Sequence, residues 1–406
     1  MKKCLFTVLV AFLTLTVAAT DYDLDKPFGF CTVSSRTDAS STYNVTGGGC
    51  YTYPIAGVSS DKVITLTSTG KDMKAAIIDA VKNYNVIIFD GSKGDFIVSS
   101  KMELNGIKDR TLLGINQARL CTKWYIKKEI IDTLNAAGVP SMRTSGGGGV
   151  LSNGATVREE AEYNTRQIII NMTGDQKETY RRAGIFLVKG CQNIIFRNLT
   201  LVGPGSIDVG GSDLMSFVGG TKNCWVDHCS FMDGMDGNFD ITGSSDFNTV
   251  SWCTFSYTDR SYMHQNTNLV GFSDRERTGY LNTTFAFCWW GAGCRQRMPM
   301  ARVGKIHMLN NYFSSTSATN CINPRKNSEV LIEGNYFEKG VKRYYSQNGA
   351  NSVTWANSNF AEEKNQMGAP VSVGEAVTIP YEYTVAPSVD VPTVVRQQAG
   401  ATLFGI

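Results

Sequence analysis

The chain of 406 residues carries 39 basic and 36 acidic residues, so its net charge is close to zero. We expect no nucleic-acid partner, because nucleic-acid-binding proteins normally carry a basic excess. Any anionic ligand must instead be held by a few local arginine or lysine side chains or by a bound metal.

The N-terminus has the three-part layout of a secretory signal peptide over residues 1–19. Two lysines precede an apolar run over residues 4–17, and Ala18 and Ala19 follow it. Cleavage after Ala19 removes two of the 39 basic residues and leaves 37 against 36 acidic ones. The run is shorter than the roughly 20 residues that a membrane span needs. We predict a secreted or periplasmic protein without a membrane anchor, with residues 20–406 as a single domain.

Ten cysteines remain after that cleavage, because one of the eleven is Cys4. An even number in an oxidising compartment allows disulfides, although a chain of this length does not need them to hold a core. Two pairs close short loops and are our first expectation for disulfides, namely Cys31 with Cys50 and Cys288 with Cys294.

The first regular element is predicted from apolar residues at helical spacing. Met73, Ile77, Ala80 and Val81 fall on one face of a short helix, and the pattern then changes to an apolar strand over residues 86–89. Strands dominate the chain after this helix.

A polar region from about residue 122 to 165 contains the glycine run 146–149. We interpret this region as a flexible excursion from the strands. A phosphate-binding loop is not expected, because it would need a strand before the glycines and a helix with Lys-Ser/Thr after them.

From about residue 190 the sequence repeats short apolar strands at a regular step. Taking the last residue of each strand as a column gives positions 199, 229, 253, 288, 311 and 335. The steps of 24 (229 to 253), 23 (288 to 311) and 24 (311 to 335) correspond to one turn of a large solenoid, and the steps of 30 and 35 indicate inserted loops. In this column Asn311 and Asn335 would stack as an amide ladder, and Cys229 would stack on Cys253.

These repeats predict an all-β fold, a right-handed parallel β-helix with a short N-terminal helix and long inserted loops. A doubly wound α/β sheet would need a helix of about ten residues between strands. The intervals are instead rich in Gly, Asp, Asn and Ser. The tail over residues 346–406 contains three spaced prolines and is predicted to form an extended C-terminal strap.

A pair of carboxylates, Asp236 and Asp240, is a candidate cation site. On a straight strand two residues four apart lie about 13 Å from each other, but Gly237 permits a bend that brings them together. Asp213 lies one turn earlier in the predicted register, and a hard cation such as Ca²⁺ prefers 6–8 oxygen ligands. A simple Asp-Gly turn explains the same residues equally well.

Three arginines near Pro299 form a candidate anion-binding loop. Arg295, Arg297 and Arg302 lie within eight residues of one another. Guanidinium groups grip sugar carboxylates bidentately, so this loop is predicted to bind substrate. The alternative is a cluster of solvated charges.

Six motifs in this order and spacing resemble the pectate lyase family, over roughly residues 190–340. The early segment 111–115 is similar to the family as well. The motifs are 225–229 (WVDHC), 236–241 (DGNFDI), 249–252 (TVSW), 271–274 (GFSD), 297–304 (RMPMARVG) and 310–312 (NNY).

The resemblance implies a parallel β-helix that cleaves polygalacturonate or pectin by β-elimination with Ca²⁺ as cofactor. By position, Asp213, Asp236 and Asp240 match the family's calcium ligands. Arg297 matches the base that removes the C5 proton, and Arg302 matches a contact to a substrate carboxylate. An arginine base is unusual, because guanidinium normally stays protonated, and it predicts an alkaline activity optimum. We expect a monomer.

Two departures from the family pattern leave questions at the site. The family has a further acidic residue where this chain has Gly211, and its substrate-binding lysine falls on Asn266. Arg260, just upstream in an apparent insertion, could reach the space of that lysine. Because the chain has only three histidines, His228 is a candidate for catalysis. In the family, however, its motif lies away from the cleft, and we interpret His228 as structural.

Three other functions remain open. A lyase for methylated pectin would work without calcium, against which the three carboxylates argue. A hydrolase would need two acids flanking the scissile bond, and it would leave the arginines without a role. A non-catalytic glycan-binding β-helix would explain the solenoid and the aromatic residues.

Overall fold

A computed structural model describes residues 26–38, 40–139 and 156–404 of the chain. The predicted signal peptide over residues 1–19 and the glycine run 146–149 lie outside these described residues. Within them, no helix has both the length and the apolar character that crossing a membrane requires.

The described strands form three parallel sheets that run along one coil. In each regular turn the chain passes through the seven-stranded, then the ten-stranded and then the nine-stranded sheet. The prediction of a parallel β-helix is confirmed. The ten-stranded sheet contains Val63–Thr67, Val86–Asp90, Lys108–Ile115, Gln192–Arg197, Trp225–Asp227, Asn248–Ser251, Thr283–Ala286, Lys305–Leu309, Glu329–Glu333 and Ser352–Trp355. The seven-stranded sheet contains Met102–Asn105, Phe186–Lys189, Met215–Val218, Phe239–Ile241, Leu269–Val270, Met300–Ala301 and Asn323–Pro324. The nine-stranded sheet contains Phe96–Val98, Arg119–Thr122, Thr200–Val202, Ser230–Met232, Thr254–Ser256, Trp289–Trp290, Tyr312–Phe313, Tyr336–Phe337 and Phe360–Ala361.

The strand register places the residues of the predicted column directly above one another. Asp227 pairs with Arg197 and Ser251, so the column positions two residues later are in register as well. The amide ladder forms: Asn311 Nδ2 donates to Asn335 Oδ1 at 2.9 Å, and Asn335 Nδ2 donates to Asn359 Oδ1 at 2.9 Å. Asn359 therefore extends the ladder by a turn that was not predicted.

Inside the coil, aromatic rings stack on successive turns. Phe231, Phe255, Trp290, Phe313 and Phe337 follow one another with ring centroids 4.7–5.3 Å apart. Offset stacking of this kind adds to the apolar burial of each ring. The interior is thus filled by like residues in register.

Four α-helices decorate the coil in the described residues: α1 (Lys74–Asn83), α2 (Lys128–Ala136), α3 (Val157–Thr173) and α4 (Val391–Gln398). Helix α1 confirms the predicted N-terminal helix. Short 3₁₀ helices occupy Gly29–Thr32, Ser60–Lys62, Gly91–Lys93, Thr179–Arg182 and Ser388–Asp390.

Helices α2 and α3 show that the interpretation of residues 122–165 as a flexible excursion was wrong for the described part of that region. Helix α3 begins with a capping box, in which Thr156 and Glu159 satisfy each other's backbone N–H groups. It ends at Gly174, whose φ of 72° suits glycine. Helix α2 buries Ile130 and Leu134, which lie one turn apart.

The ten cysteines of the described residues are all free and buried. The expected pairs Cys31–Cys50 and Cys288–Cys294 are therefore wrong. Cys288 stands in the column, where its thiol donates to the backbone oxygen of Val250, whereas the thiol of Cys294 donates to that of Phe255. Their thiols thus bond to the backbones of different strands.

The C-terminal segment first adds a turn to the coil and then runs back over earlier turns. The hydroxyl of Tyr381 lies 2.6 Å from Thr284 Oγ1, and the Ala386 N–H donates to Asn310 Oδ1 at 2.8 Å. Helix α4 follows, and the Leu403 N–H finally donates to Asn198 Oδ1 at 2.8 Å. The segment therefore joins turns that are more than a hundred residues apart in sequence.

Candidate active site

The predicted site residues lie on successive turns that lead from the nine-stranded into the seven-stranded sheet. Asp213 precedes the strand Met215–Val218, and Asp236 precedes the strand Phe239–Ile241, which contains Asp240. These two strands pair in parallel, with Asp240 opposite Ser216. The coil therefore brings three acidic side chains from two neighbouring turns to one edge of the sheet.

Gly237 leaves the space into which two of these carboxylates point. A Cβ atom placed on Gly237 would lie 2.9 Å from Asp213 Oδ1 and 3.1 Å from Asp240 Oδ1. A larger residue would require these oxygens to shift. Glycine thus lets both carboxylates occupy this space in their present positions.

Each carboxylate is held through one of its oxygens. Ser216 Oγ donates to Asp213 Oδ2 at 2.8 Å, and the Leu269 N–H donates to Asp240 Oδ1 at 2.9 Å. Asp236 Oδ1 lies 2.7 Å from Nε2 of His264. Asp213 Oδ1 is buried and has no hydrogen-bond partner among the described residues, which is unusual for a buried carboxylate oxygen.

The electrostatics of the three acids differ. Burial, together with the charge of Asp236, raises the pKa of Asp213 to about 7. Burial and the charge of Asp213 raise the pKa of Asp240 well above its usual value. Burial alone would raise the pKa of Asp236, but the hydrogen bond and charge of His264, with Arg297, lower it. The positive charge near Asp213 and Asp240 is thus too small to offset the effect of burial and of the neighbouring acids on their pKa values.

A hard cation fits this donor set. Carboxylate oxygens are the ligands that Ca²⁺ prefers, and a cation would relieve the repulsion between the buried acids. In the described part of the chain, however, no three His, Cys, Asp or Glu side chains stand in an arrangement that could hold a metal ion by themselves. The fit therefore rests on the chemistry of the three carboxylates and on the unpaired Asp213 Oδ1.

Two of the predicted arginines flank Met300–Ala301, which lies two strands beyond Phe239–Ile241 in the same sheet. Arg297 precedes it and exerts its charge on all three acids. Arg302 follows it, where its Nε lies 3.1 Å from Asp274 Oδ1 and its Nη1 donates to the Gly271 oxygen at 3.0 Å. Burial, followed by the charge of Arg325, lowers the pKa of Arg302.

Arg325 was not predicted as a site residue. Because Ala301 pairs with Pro324, Arg325 stands one turn beyond Arg302 on the same sheet. Its position in the repeat could have revealed it, since it follows Arg302 by 23 residues. This part of the seven-stranded sheet therefore carries Arg302 and Arg325 on successive turns beyond the carboxylates.

The other two predicted arginines lie elsewhere. Arg260 is exposed, donates to the Gly203 oxygen at 3.3 Å and stands 5.5 Å from the ring centroid of Tyr125. Arg295 is exposed, and its backbone oxygen accepts from the Thr319 N–H at 2.6 Å. The contacts of Arg260 direct it toward an earlier turn rather than toward the predicted lysine position.

Comparisons with known proteins identify the family. A family model described as pectate lyase matches residues 153–400, which is more than half of the chain. The chain belongs to the pectate lyase family. The family assignment that the six motifs predicted is therefore confirmed.

Curated pectate lyases match about half of this chain. Pectate lyase A of Aspergillus niger is 33% identical over 227 residues, covering 53% of this chain and 65% of the relative. A pectate trisaccharide-lyase of Bacillus licheniformis is 30% identical over 220 residues, covering 51% and 60%. The matched part of the chain thus spans less than two thirds of the length of these relatives.

Solved pectate lyase structures share the fold over most of the chain. A pectate lyase from Bacillus sp. N165 in complex with trigalacturonate has a TM-score of 0.59 at 17% identity, covering 93% of this chain and all of that chain. Pectate lyase II from Xanthomonas campestris has a TM-score of 0.54 at 18% identity, covering 93% and 98%. At this identity the likeness concerns the fold.

Gly211 stands where the family resemblance led us to expect a further acid, and Met235 packs against it. A Cβ atom on Gly211 would lie 2.1 Å from Sδ of the fully buried Met235. The space for an acidic side chain is therefore filled. Asn266 stands where the family resemblance led us to expect a lysine. Its Nδ2 lies 2.8 Å from Nε2 of His264, so the space beside its side chain is occupied by that imidazole.

His228 lies away from this cluster. It is fully buried, and its Nδ1 lies 2.7 Å from Asp227 Oδ2. The same carboxylate oxygen accepts from Arg197 Nε at 2.9 Å. This contact set, on the ten-stranded sheet, agrees with a structural role.

Proposed function

We propose that this chain cleaves polygalacturonate by β-elimination with Ca²⁺ as its cofactor, giving 4,5-unsaturated oligogalacturonides. The observation that carries the proposal is the cluster of three acidic side chains beside Arg297. Relatives named pectate lyase, and the likeness in fold to a pectate lyase in complex with trigalacturonate, support this substrate class.

Asp213, Asp236 and Asp240 would hold the calcium ion. When bound, Ca²⁺ would stabilise the negative charge that develops on a uronate carboxylate as its neighbouring proton leaves. Because each acid already uses one oxygen in a bond to the protein, we expect about three protein oxygens for a cation that takes about 6–8 ligands. Water and the substrate carboxylate would supply the rest.

The arginines carry out the chemical step. Arg302, fixed by Asp274 and Gly271, holds a substrate carboxylate next to the reacting sugar. Arg297 accepts the proton from C5, which requires a neutral guanidine and so favours alkaline solution. The C5–H electrons form the C4–C5 double bond, the C4–O4 bond breaks, and the departing oxygen takes a proton from water.

A spectrophotometric assay separates this function from its alternatives. The protein is incubated with polygalacturonate or methylated pectin, with calcium or with a chelator, and the ultraviolet absorbance of the unsaturated product is followed. The proposal predicts absorbance that rises only with calcium and more strongly on polygalacturonate. Equal rates with a chelator on methylated pectin would indicate a pectin lyase. Saturated ends would indicate a hydrolase, and no cleavage would favour a glycan-binding protein.

We also propose that the protein acts outside the cytoplasm as a monomer. The signal-peptide pattern of residues 1–19 supports export. Intact-mass measurement of protein from the culture medium or periplasm would show a chain that begins after Ala19. A chain retaining Met1 inside the cell would contradict export, and light scattering would test the monomer.

A further inference from the structure

His264 joins the carboxylate cluster to a fourth buried acid. Its Nε2 lies 2.7 Å from Asp236 Oδ1, and its Nδ1 lies 3.5 Å from Asp208 Oδ1. The side chains of His264 and Asp208 are 5% and 3% exposed, whereas that of Asp236 is 37% exposed. The imidazole therefore connects the buried Asp208 to the partly exposed Asp236 of the cluster.

The backbone fixes the imidazole in this place. His264 has a φ of 66°, a left-handed conformation that is unfavourable for a residue other than glycine. Its backbone oxygen accepts from the Asn266 N–H at 2.7 Å. Its side chain reaches from its own turn to the two preceding turns, where it meets Asp236 and Asp208.

We propose that Asp208 and His264 position Asp236 for the cation. They would in this way compensate for the further acid that the family resemblance led us to expect at Gly211. With Nε2 bound to Oδ1, Asp236 offers its other oxygen to the metal. His264 is a positioning residue here, since it acts on the metal through Asp236. This inference rests on the proposed calcium function and deepens it.

The other two acids support this interpretation, because each is anchored in the same way. Ser216 holds one oxygen of Asp213, and the Leu269 N–H holds one oxygen of Asp240. Partners of this kind orient ligating carboxylates, and their loss typically weakens metal affinity about 10- to 100-fold. His264 is the corresponding anchor for Asp236, and Gly211 offers no acid that could replace it.

Calcium titration calorimetry on the full chain tests the inference without relying on activity. His264→Ala should weaken calcium binding about 10- to 100-fold, and His264→Gln, whose amide can still donate to Asp236, should recover most of the affinity. Asp208→Asn should weaken binding less. Asp132→Asn, which removes an exposed acid on α2 paired with Lys128, is the matched control and should bind as the wild type does.

A double-mutant cycle separates positioning from general structural support. In an Asp236→Asn background, His264→Ala should change calcium affinity by less than about twofold, because its partner is gone. An equal loss in both backgrounds would overturn the inference, as would unchanged affinity in His264→Ala. Circular dichroism melts identify a variant that fails to fold, in which case His264→Gln carries the cycle. No calcium binding by the wild type would overturn the proposed function and this inference with it.

Discussion

Arg297 is the side chain on which the proposed chemistry depends most. Arg297→Lys keeps a positive charge beside the carboxylates but moves the proton-accepting group. We expect turnover of polygalacturonate to fall by a factor of about 100 or more, because a positioned proton acceptor contributes about 10²–10⁴-fold. Calcium affinity, measured by calorimetry, should change little. Near-normal turnover would remove Arg297 from the mechanism.

Asp246 gives a prediction for the dependence of stability on pH. Burial raises its pKa to about 6, although Asn282 and Arg36 partly oppose this. Between about pH 4 and 6 the folded chain therefore keeps a proton that the unfolded chain has lost, so this contribution to stability decreases as the pH rises through that window. Urea denaturation at several pH values should show a flatter profile for Asp246→Asn. An unchanged profile would contradict the assignment.

Among the site residues, the sequence alone reached those that lie within one recognisable motif. Asp236, Asp240 and Arg297 were predicted from such motifs and Asp213 from the register, and the structure places the three acids on neighbouring turns, while their roles stay predictions. Asp208 and His264 were missed, because a contact across 56 residues (208 to 264) depends on how two inserted turns fold over each other. No local spacing records such a contact.

At the scale of elements, the amide ladder should contribute measurably to stability. Asn335 is fully buried, accepts from Asn311 and donates to Asn359. Asn335→Ala leaves buried partners unsatisfied, which costs about 1–3 kcal/mol per group. Urea denaturation should show a loss of that order or more. Ser358→Ala, on the neighbouring loop, is a milder comparison, and an equal effect of the two would argue against a special role of the ladder.

The elements themselves were predictable to different degrees. The strands of the column were predictable because each turn repeats the same apolar pattern at a step of 23 or 24 residues. Helix α3 was missed although its capping box, Thr156 with Glu159, stands in the sequence. The polar residues around it outweighed this signal, since only one face of the helix packs on the coil.

At the scale of the whole molecule, the C-terminal segment ties distant turns together through Tyr381. Its hydroxyl lies 2.6 Å from Thr284 Oγ1 and 2.7 Å from Nδ1 of the buried His307. Tyr381→Phe should lower the free energy of unfolding by about 1–3 kcal/mol, because two buried groups lose a partner. The exposed Tyr163 on α3 provides the control, and Tyr163→Phe should cost clearly less. An equal loss of unfolding free energy in the two variants would contradict this role of Tyr381.

The central claim is that one cation joins Asp213, Asp236 and Asp240 to a uronate carboxylate beside Arg297. A crystal structure of the Arg297→Lys variant with calcium and a galacturonate oligomer tests it most directly. We expect an ordered Ca²⁺ ion bound by all three aspartates and by a substrate carboxylate, with C5 of that sugar facing residue 297. An oligomer bound away from these aspartates, or no ion between them at saturating calcium, would contradict it.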